Sequence, residues 1–87
     1  MTISSIDAQA NDAIANSHES MGCTAIKAFH TAKKFDRPLA ARSFMEDAAF
    51  HFLQASILWE NIDHVAAVRA RCAYTELRRT ITEERME

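Results

Sequence analysis

The chain has one glycine, Gly22, and one proline, Pro38, among 87 residues, and it has sixteen alanines. Glycine and proline most often interrupt helices, whereas alanine has the highest helix propensity. So few interrupting residues predict helix over nearly the whole length, and we expect an all-α protein. A chain of this length fits one domain, residues 1–87, because most domains contain about 50 to 250 residues.

The spacing of apolar and small residues predicts three helices, at roughly residues 5–34, 37–59 and 64–85. Such residues recur at steps of three and four along the first segment, which is typical of one helical face. This face consists of Ile6, Ala10, Ala13, Ile14, Ser17, Met21, Ala25, Ala28 and Ala32. Gly22 leaves open a break within the first helix, since glycine costs about 1 kcal/mol there relative to alanine. Because the connections are short, we expect antiparallel neighbours and an up-down-up bundle.

Two stretches, KKFDRPLAAR and WENIDHVAAVR, share a pattern that is typical of a helix start. Asp36 and Asp63 are suitable N-caps, since a short carboxylate accepts hydrogen bonds from the unpaired N–H groups of a first helical turn. Phe35 and Ile62 precede them and are expected to pack against an alanine of the following helix in a hydrophobic staple. The second start contains neither glycine nor proline, so one unbroken helix from Pro38 to the C-terminus is the alternative.

The second helix carries large apolar side chains on two opposite sides. On a helical wheel of about 100° per residue, one broad face predicts the core. This core face consists of Ala41, Phe44, Met45, Ala48, Phe52, Ala55 and Trp59. The opposite side carries a second apolar stripe, here called the outer stripe, formed by Leu39, Phe50, Leu53 and Ile57. If the other two helices pack on opposite sides of the second, both surfaces are buried; if they pack together, the outer stripe is exposed.

Apolar residues outside the main faces of the other helices favour the second arrangement. They are Ile26 and Phe29 in the first helix and Val65, Val68 and Cys72 in the third. Leaving four large apolar side chains in water forfeits on the order of several kcal/mol, whereas a small domain is stable by only about 5–15 kcal/mol. Contiguous exposed apolar surface usually marks an interaction site. We therefore predict that the bundle assembles as a helical homodimer, with the outer stripe as the protein interface.

The charge balance does not favour binding to nucleic acid. The formal net charge is -2 at pH 7 and the pI is about 6.1, so the chain lacks the positive potential that such binding uses. A small helical nucleic-acid-binding regulator that uses Arg71, Arg78 and Arg79 of the third helix is the alternative function. Glutamates are interspersed among these arginines, as expected of a solvated helix surface.

No motif for catalysis emerges from the residue pattern. One glycine is too few for a phosphate-binding loop. Asp47 with His51, and Glu60 with His64, have the i, i+4 spacing that places two metal ligands on one helix face, but two ligands are too few for a specific site. Cys23 is the better candidate nucleophile, although free cysteine in a helix usually behaves as a small buried apolar residue. We expect a protein that is not an enzyme and has no cofactor or metal.

The remaining features predict a cytoplasmic protein. The two cysteines lack a paired spacing, and the N-terminal MTISSIDAQAND carries acid where a secretory signal carries base. The apolar runs are far shorter than the ~20 residues that cross a bilayer, so no membrane partner is expected. We predict an adaptor, regulator or stoichiometric inhibitor that binds another protein or a second copy of itself.

Overall fold

A computed structural model describes residues 5–85, with side chains as far as residue 83. It contains three helices, α1 (Ser5–Lys34), α2 (Pro38–Trp59) and α3 (His64–Arg85). Over these described residues there is no strand, and the prediction of an all-α protein with three packed helices is confirmed. Residues 1–4 and 86–87 of the predicted domain lie outside the described part. Assembly into a homodimer stays a prediction.

Helices α1 and α3 each pack along α2 and make few contacts with each other. Asp12, early in α1, is hydrogen-bonded to Trp59 at the end of α2, so these two helices run antiparallel. Met45, early in α2, shares a cluster with Ile81, late in α3, so α2 and α3 are antiparallel as well. The topology is up-down-up, and the described part measures 47 × 21 × 15 Å.

The core contains few large side chains and many alanines. The large buried residues are Trp59, Met45, Phe52 and Ile81. The core face predicted for α2 is buried, except that Phe44 is only half-buried. The alanines that fill the remaining space are Ala15, Ala25, Ala32, Ala41, Ala48, Ala49, Ala55, Ala66, Ala67 and Ala70.

The core face predicted for α1 is wrong over the first half of the helix. Ile6 is 79% exposed, and Ile14 and Met21 are exposed as well. The helix instead turns Ala15 and Gly22 towards the core, where both are buried. Small residues on that side allow α1 to approach α2 closely, whereas the larger residues of the predicted face would hold the helices apart. Ile26 and Phe29, predicted to lie outside the core, are half-buried against it.

Gly22 serves close packing and does not break α1, which is continuous from Ser5 to Lys34. A Cβ atom at Gly22 would lie 2.8 Å from Cε2 of the Phe52 ring, a distance too short for a carbon–carbon contact. The alternative of one helix from Pro38 onwards is also wrong, because residues 60–63 form a turn between α2 and α3.

Asp36 ends α1 rather than starting α2, so its predicted role as an N-cap is wrong. Its φ is 56°, in the left-handed region. Its N–H donates to the carbonyl of Lys33 (3.1 Å), and the N–H of Arg37 donates to the carbonyl of Ala32 (2.9 Å). These two bonds define a Schellman motif. Arg37 becomes the N-cap of α2, without a side-chain cap, because Pro38 disfavours helical dihedrals in the residue before it.

Asp63 is the N-cap of α3, as predicted. Its Oδ1 accepts a hydrogen bond from the N–H of Ala66 at 3.1 Å, and its carbonyl accepts one from the N–H of Ala67 at 2.9 Å. The preceding Ile62 packs against the cluster that contains Ala67, as a hydrophobic staple requires. The second predicted helix start is therefore confirmed.

We expect Asp36→Gly to raise the free energy of unfolding by about 0.5–1 kcal/mol, because glycine adopts positive φ without a steric penalty. Asp36→Val is expected to lower it by about 1 kcal/mol or more, since a β-branched side chain is a strong outlier there. Asp36→Asn separates the loss of charge from the change in backbone freedom. Urea unfolding followed by circular dichroism measures all three, and equal stability of the glycine and valine variants would contradict the expectation.

Candidate interaction surface

The outer stripe lies on the side of α2 that neither α1 nor α3 covers. Leu39 is 85% exposed, Phe50 53% and Ile57 50%, while Leu53 is half-buried. The stripe faces outwards although α1 and α3 make few contacts with each other, so the expectation that it is exposed only when those two helices pack together is wrong. From Leu39 to Ile57 it extends about 27 Å, at 1.5 Å of rise per residue.

The outer stripe has an apolar centre and a charged interruption. Phe50, Leu53 and Ile57 occupy two successive turns, whereas Leu39 stands apart near the start of α2. Between them lie Arg42 and Glu46, whose Nε and Oε1 atoms are 3.8 Å apart with both side chains about half exposed. Such an exposed pair contributes little to stability. The continuous apolar part of the stripe is thus its C-terminal half.

Two histidines support the aromatic ring of Phe50. The Nδ1 atoms of His18 in α1 and His51 in α2 are 2.9 Å apart. The ring centroids are 5.2 Å apart, so both nitrogens lie close to the line that joins the ring centres, as in an N–H···N hydrogen bond. The Phe50 ring is edge-on to both, at 6.3 Å from His18 and 5.3 Å from His51. Helix α1 therefore helps to position the central residue of the outer stripe.

A shallow groove of about 290 Å³ separates the C-terminal half of α2 from α3. Its lining is mixed, with polar and charged side chains beside small apolar ones. The lining residues are Ser56, Glu60, His64, Ala67, Val68, Arg71 and Cys72. The hydroxyl of Ser56 donates to the carbonyl of Leu53 at 2.7 Å, so it has a partner although it is buried. The groove is lined by Glu60 and His64, whose i, i+4 spacing suits two metal ligands. It is also lined by Arg71, one of the arginines of the alternative function in nucleic-acid binding.

A second groove lies between α1 and α2. It is mainly apolar, and the sequence did not predict it. It consists of two adjoining depressions of about 310 and 460 Å³, which share Ala28 and Phe44. Met21 and Phe35, both exposed, complete its apolar lining. Part of the signal is present in the sequence, because Met21 and Ala28 of the predicted α1 face border this groove. Ala25 and Ala32 of the same face line the groove and also belong to the core.

The ends of the three helices are tied together around Trp59. Its Nε1–H donates to Oδ1 of Asp12 at 2.8 Å, and the guanidinium of Arg69 lies over its ring at 5.4 Å. Arg69 also donates two hydrogen bonds to the Glu19 carboxylate, at 2.9 and 3.2 Å. These hydrogen bonds and the negative charge of Glu19 raise the pKa of Arg69. Residues from α1, α2 and α3 meet here, which fixes the helices that present the outer stripe.

The arginines of the nucleic-acid alternative differ in their surroundings. Arg79 pairs with Glu76 at 2.6 Å and with Glu83 at 3.0 Å. Its hydrogen bond to Glu76 and the charges of both glutamates raise its pKa. Arg71 and Arg78 are exposed, and Arg71 lines the groove beside Glu60. The positive charge of this helix is thus interrupted by acidic side chains.

The candidate catalytic and metal-binding groups are not gathered into one site. His51, paired with Asp47 in the sequence, is bonded to His18 of another helix. In residues 5–83 no three His, Cys, Asp or Glu side chains are grouped to hold a metal ion. Cys23 and Cys72 are both exposed and free, so the expectation that Cys23 is a buried apolar residue is wrong.

None of the three helices combines the length and the apolar character needed to cross a bilayer.

The chain was compared with known proteins at three levels, namely family profiles, curated sequences and solved structures. No family, curated protein or solved structure matches it significantly.

Proposed function

We propose that this protein is a small non-enzymatic protein–protein interaction module that acts through the outer stripe of α2. The observation that carries the proposal is the exposure of Phe50 and Ile57, each at least half accessible, on either side of the half-buried Leu53 in a domain with a small core. Isolated exposed apolar residues are ordinary, but a contiguous group on one helix marks a surface that another molecule covers. Binding to such a surface is stoichiometric, as in an adaptor, a regulator or an inhibitor.

The partner is another protein or a second copy of this chain. A helix face with apolar side chains at successive turns suits the packing of a partner helix along it. In a homodimer, two-fold symmetry would place the same stripe on both sides of the interface. We also propose a cytoplasmic location, which the two unpaired cysteines support, because cytosolic thiols are kept reduced.

Nucleic-acid binding through Arg71, Arg78 and Arg79 has less support. Two glutamates balance the charge of Arg79, and the chain as a whole is negative. This function predicts an affinity for DNA or RNA that falls steeply with salt. No binding at low salt would exclude it.

The proposed function predicts that Phe50→Glu abolishes association while the helices stay folded. A tagged chain is used to capture partners from lysate of the native cells, and light scattering at micromolar concentration measures self-association. Val65→Glu is the matched control, because Val65 is 74% exposed on α3 outside the outer stripe. We expect Phe50→Glu to lose the captured protein or the dimer, and Val65→Glu to keep it. Unchanged capture and unchanged molar mass with Phe50→Glu would overturn the proposal.

A further inference from the structure

The pair of histidines beside Phe50 has a geometry that depends on proton count. The Nδ1 atoms of His18 and His51 are 2.9 Å apart and nearly collinear with the ring centres. One Nδ1–H therefore donates to the unprotonated Nδ1 of the other ring. A metal ion bound by both rings would need lone pairs that converge on a third point, and the two nitrogens instead face each other. The geometry is that of one shared proton.

From this geometry we infer that His18 and His51 form a pH-sensitive clamp between α1 and α2 that controls the position of Phe50. The inference rests on the proposed function of the outer stripe, since it assigns a regulation to that site. One imidazolium strengthens the bond, because a charged donor faces a neutral acceptor. When both rings are protonated, two N–H groups and two positive charges face each other, so the bond is lost.

The hydrogen bond needs one unprotonated Nδ1, so a proton added to that nitrogen is the one that opens the clamp. Few other charges face the pair. On α1 the adjacent carboxylate is Glu19, which is held by Arg69 of α3. On α2 Asp47 lines the same groove as His51. The described contacts place no third cation beside the pair. The repulsion that opens the clamp is therefore between the two protonated imidazole rings.

Opening the clamp affects the outer stripe because Phe50 is edge-on to both rings. Loss of the hydrogen bond frees both imidazoles to turn away from each other. Phe50 then loses the surface against which its ring is placed. The same event loosens the contact between the middle of α1 and the middle of α2. Protonation of histidines is a known way to reshape an interface between pH 5 and 6.

The sign of the pH effect follows from proton counting. Histidines of an unfolded chain take up protons around pH 6.5, so both rings are charged in the unfolded state at pH 5. In the folded state the bond between the rings exists only while one of the two facing Nδ1 atoms is unprotonated. The unfolded state then binds more protons, and stability falls as the pH falls. One proton of difference lowers the folding equilibrium constant by at most about tenfold per pH unit.

The test compares the pH dependence of stability between pH 7.5 and 5 in the wild-type chain and in the His18→Gln/His51→Gln double variant. Glutamine stays neutral over this range. His30→Gln is the control, since His30 is exposed on α1 and is not part of the pair. We expect the wild type and the control to lose stability between pH 6 and 5 more steeply than the double variant does. Ring proton shifts of Phe50, followed by NMR, are expected to change over the same range in the wild type and the control but not in the double variant.

Equal pH slopes in the wild type and the double variant would overturn the clamp, as would a Phe50 signal that moves identically in both. These readouts need no partner, so they are independent of the capture experiment. A flat pH response together with Phe50-dependent capture would reject the clamp and keep the interaction function. A steep response without any Phe50-dependent association would do the reverse.

Discussion

Replacing Trp59 with alanine is expected to lower the free energy of unfolding by about 3–5 kcal/mol. A small domain is stable by only about 5–15 kcal/mol, so this loss removes a large share of its stability. Trp59 is 1% exposed and is the largest fully buried side chain. Its neighbours are mostly alanines, which are too short to fill the space that the indole would leave.

The loss combines a cavity with a broken hydrogen bond, and two further variants separate them. Trp59→Phe keeps an aromatic ring but removes the Nε1–H that donates to Asp12, so we expect an intermediate loss of about 1–3 kcal/mol. Asp12→Ala removes the acceptor and keeps the indole, and it is expected to cost about 1 kcal/mol.

The unfolding of these variants is best followed by circular dichroism, because Trp59 is the single tryptophan of the chain and fluorescence would be lost with it. Urea midpoints of the three variants give the order of stability. A Trp59→Ala variant as stable as Trp59→Phe would contradict the importance of the cavity. Equal stability of Asp12→Ala and the wild type would remove the hydrogen bond from the explanation.

Gly22→Leu is the second substitution with a large expected effect, a loss of about 3 kcal/mol. Even a methyl group at this position meets the Phe52 ring at 2.8 Å, and Phe52 is itself buried. The ring belongs to a buried cluster with Ala25 and Ala48, so we expect α1 to move away from α2. Cys23→Leu is the matched control, because Cys23 is the next residue of the helix and is exposed. We expect it to change stability by no more than about 0.5 kcal/mol.

A double-mutant cycle tests whether the Phe52 ring is the cause. In the wild-type background we expect Gly22→Ala to be destabilising, since the steric conflict exceeds the gain of about 1 kcal/mol in helix propensity. In a Phe52→Leu background the ring is gone, and the same change is expected to be stabilising. Thermal unfolding of the four proteins gives the coupling energy. Additive effects would show that another contact limits the size of residue 22.

The face of α1 shows why part of the fold was not predictable. The stripe that includes Ile14 and Met21 carries more apolar surface than the side with Ala15 and Gly22, and a wheel weighted by hydrophobicity therefore selects it. In the folded chain the decisive quantity is how closely two helices approach. Glycine and alanine contribute little apolar surface, but they determine that distance.

The turn after α1 shows a second limit. Asp36 and Asp63 have the same residue type before a helix, yet only Asp63 caps one. Pro38 excludes helical dihedrals at Arg37, which leaves Asp36 to end the preceding helix. The helical wheel predicts each residue of the outer stripe of α2, although the sequence leaves open whether α1 or α3 covers it. The histidine pair beside it was not foreseen, since its members are 33 residues apart.

The sequence by itself determined the helical content, the core face of α2 and the start of α3, because propensity, periodicity and capping act within a few residues of the chain. The tertiary structure decided which side of α1 meets α2, that Phe50 lies beside His18 and His51, and that the outer stripe is left uncovered. Those features depend on distances between helices, and such distances are set by the fit of side chains that are remote in the sequence.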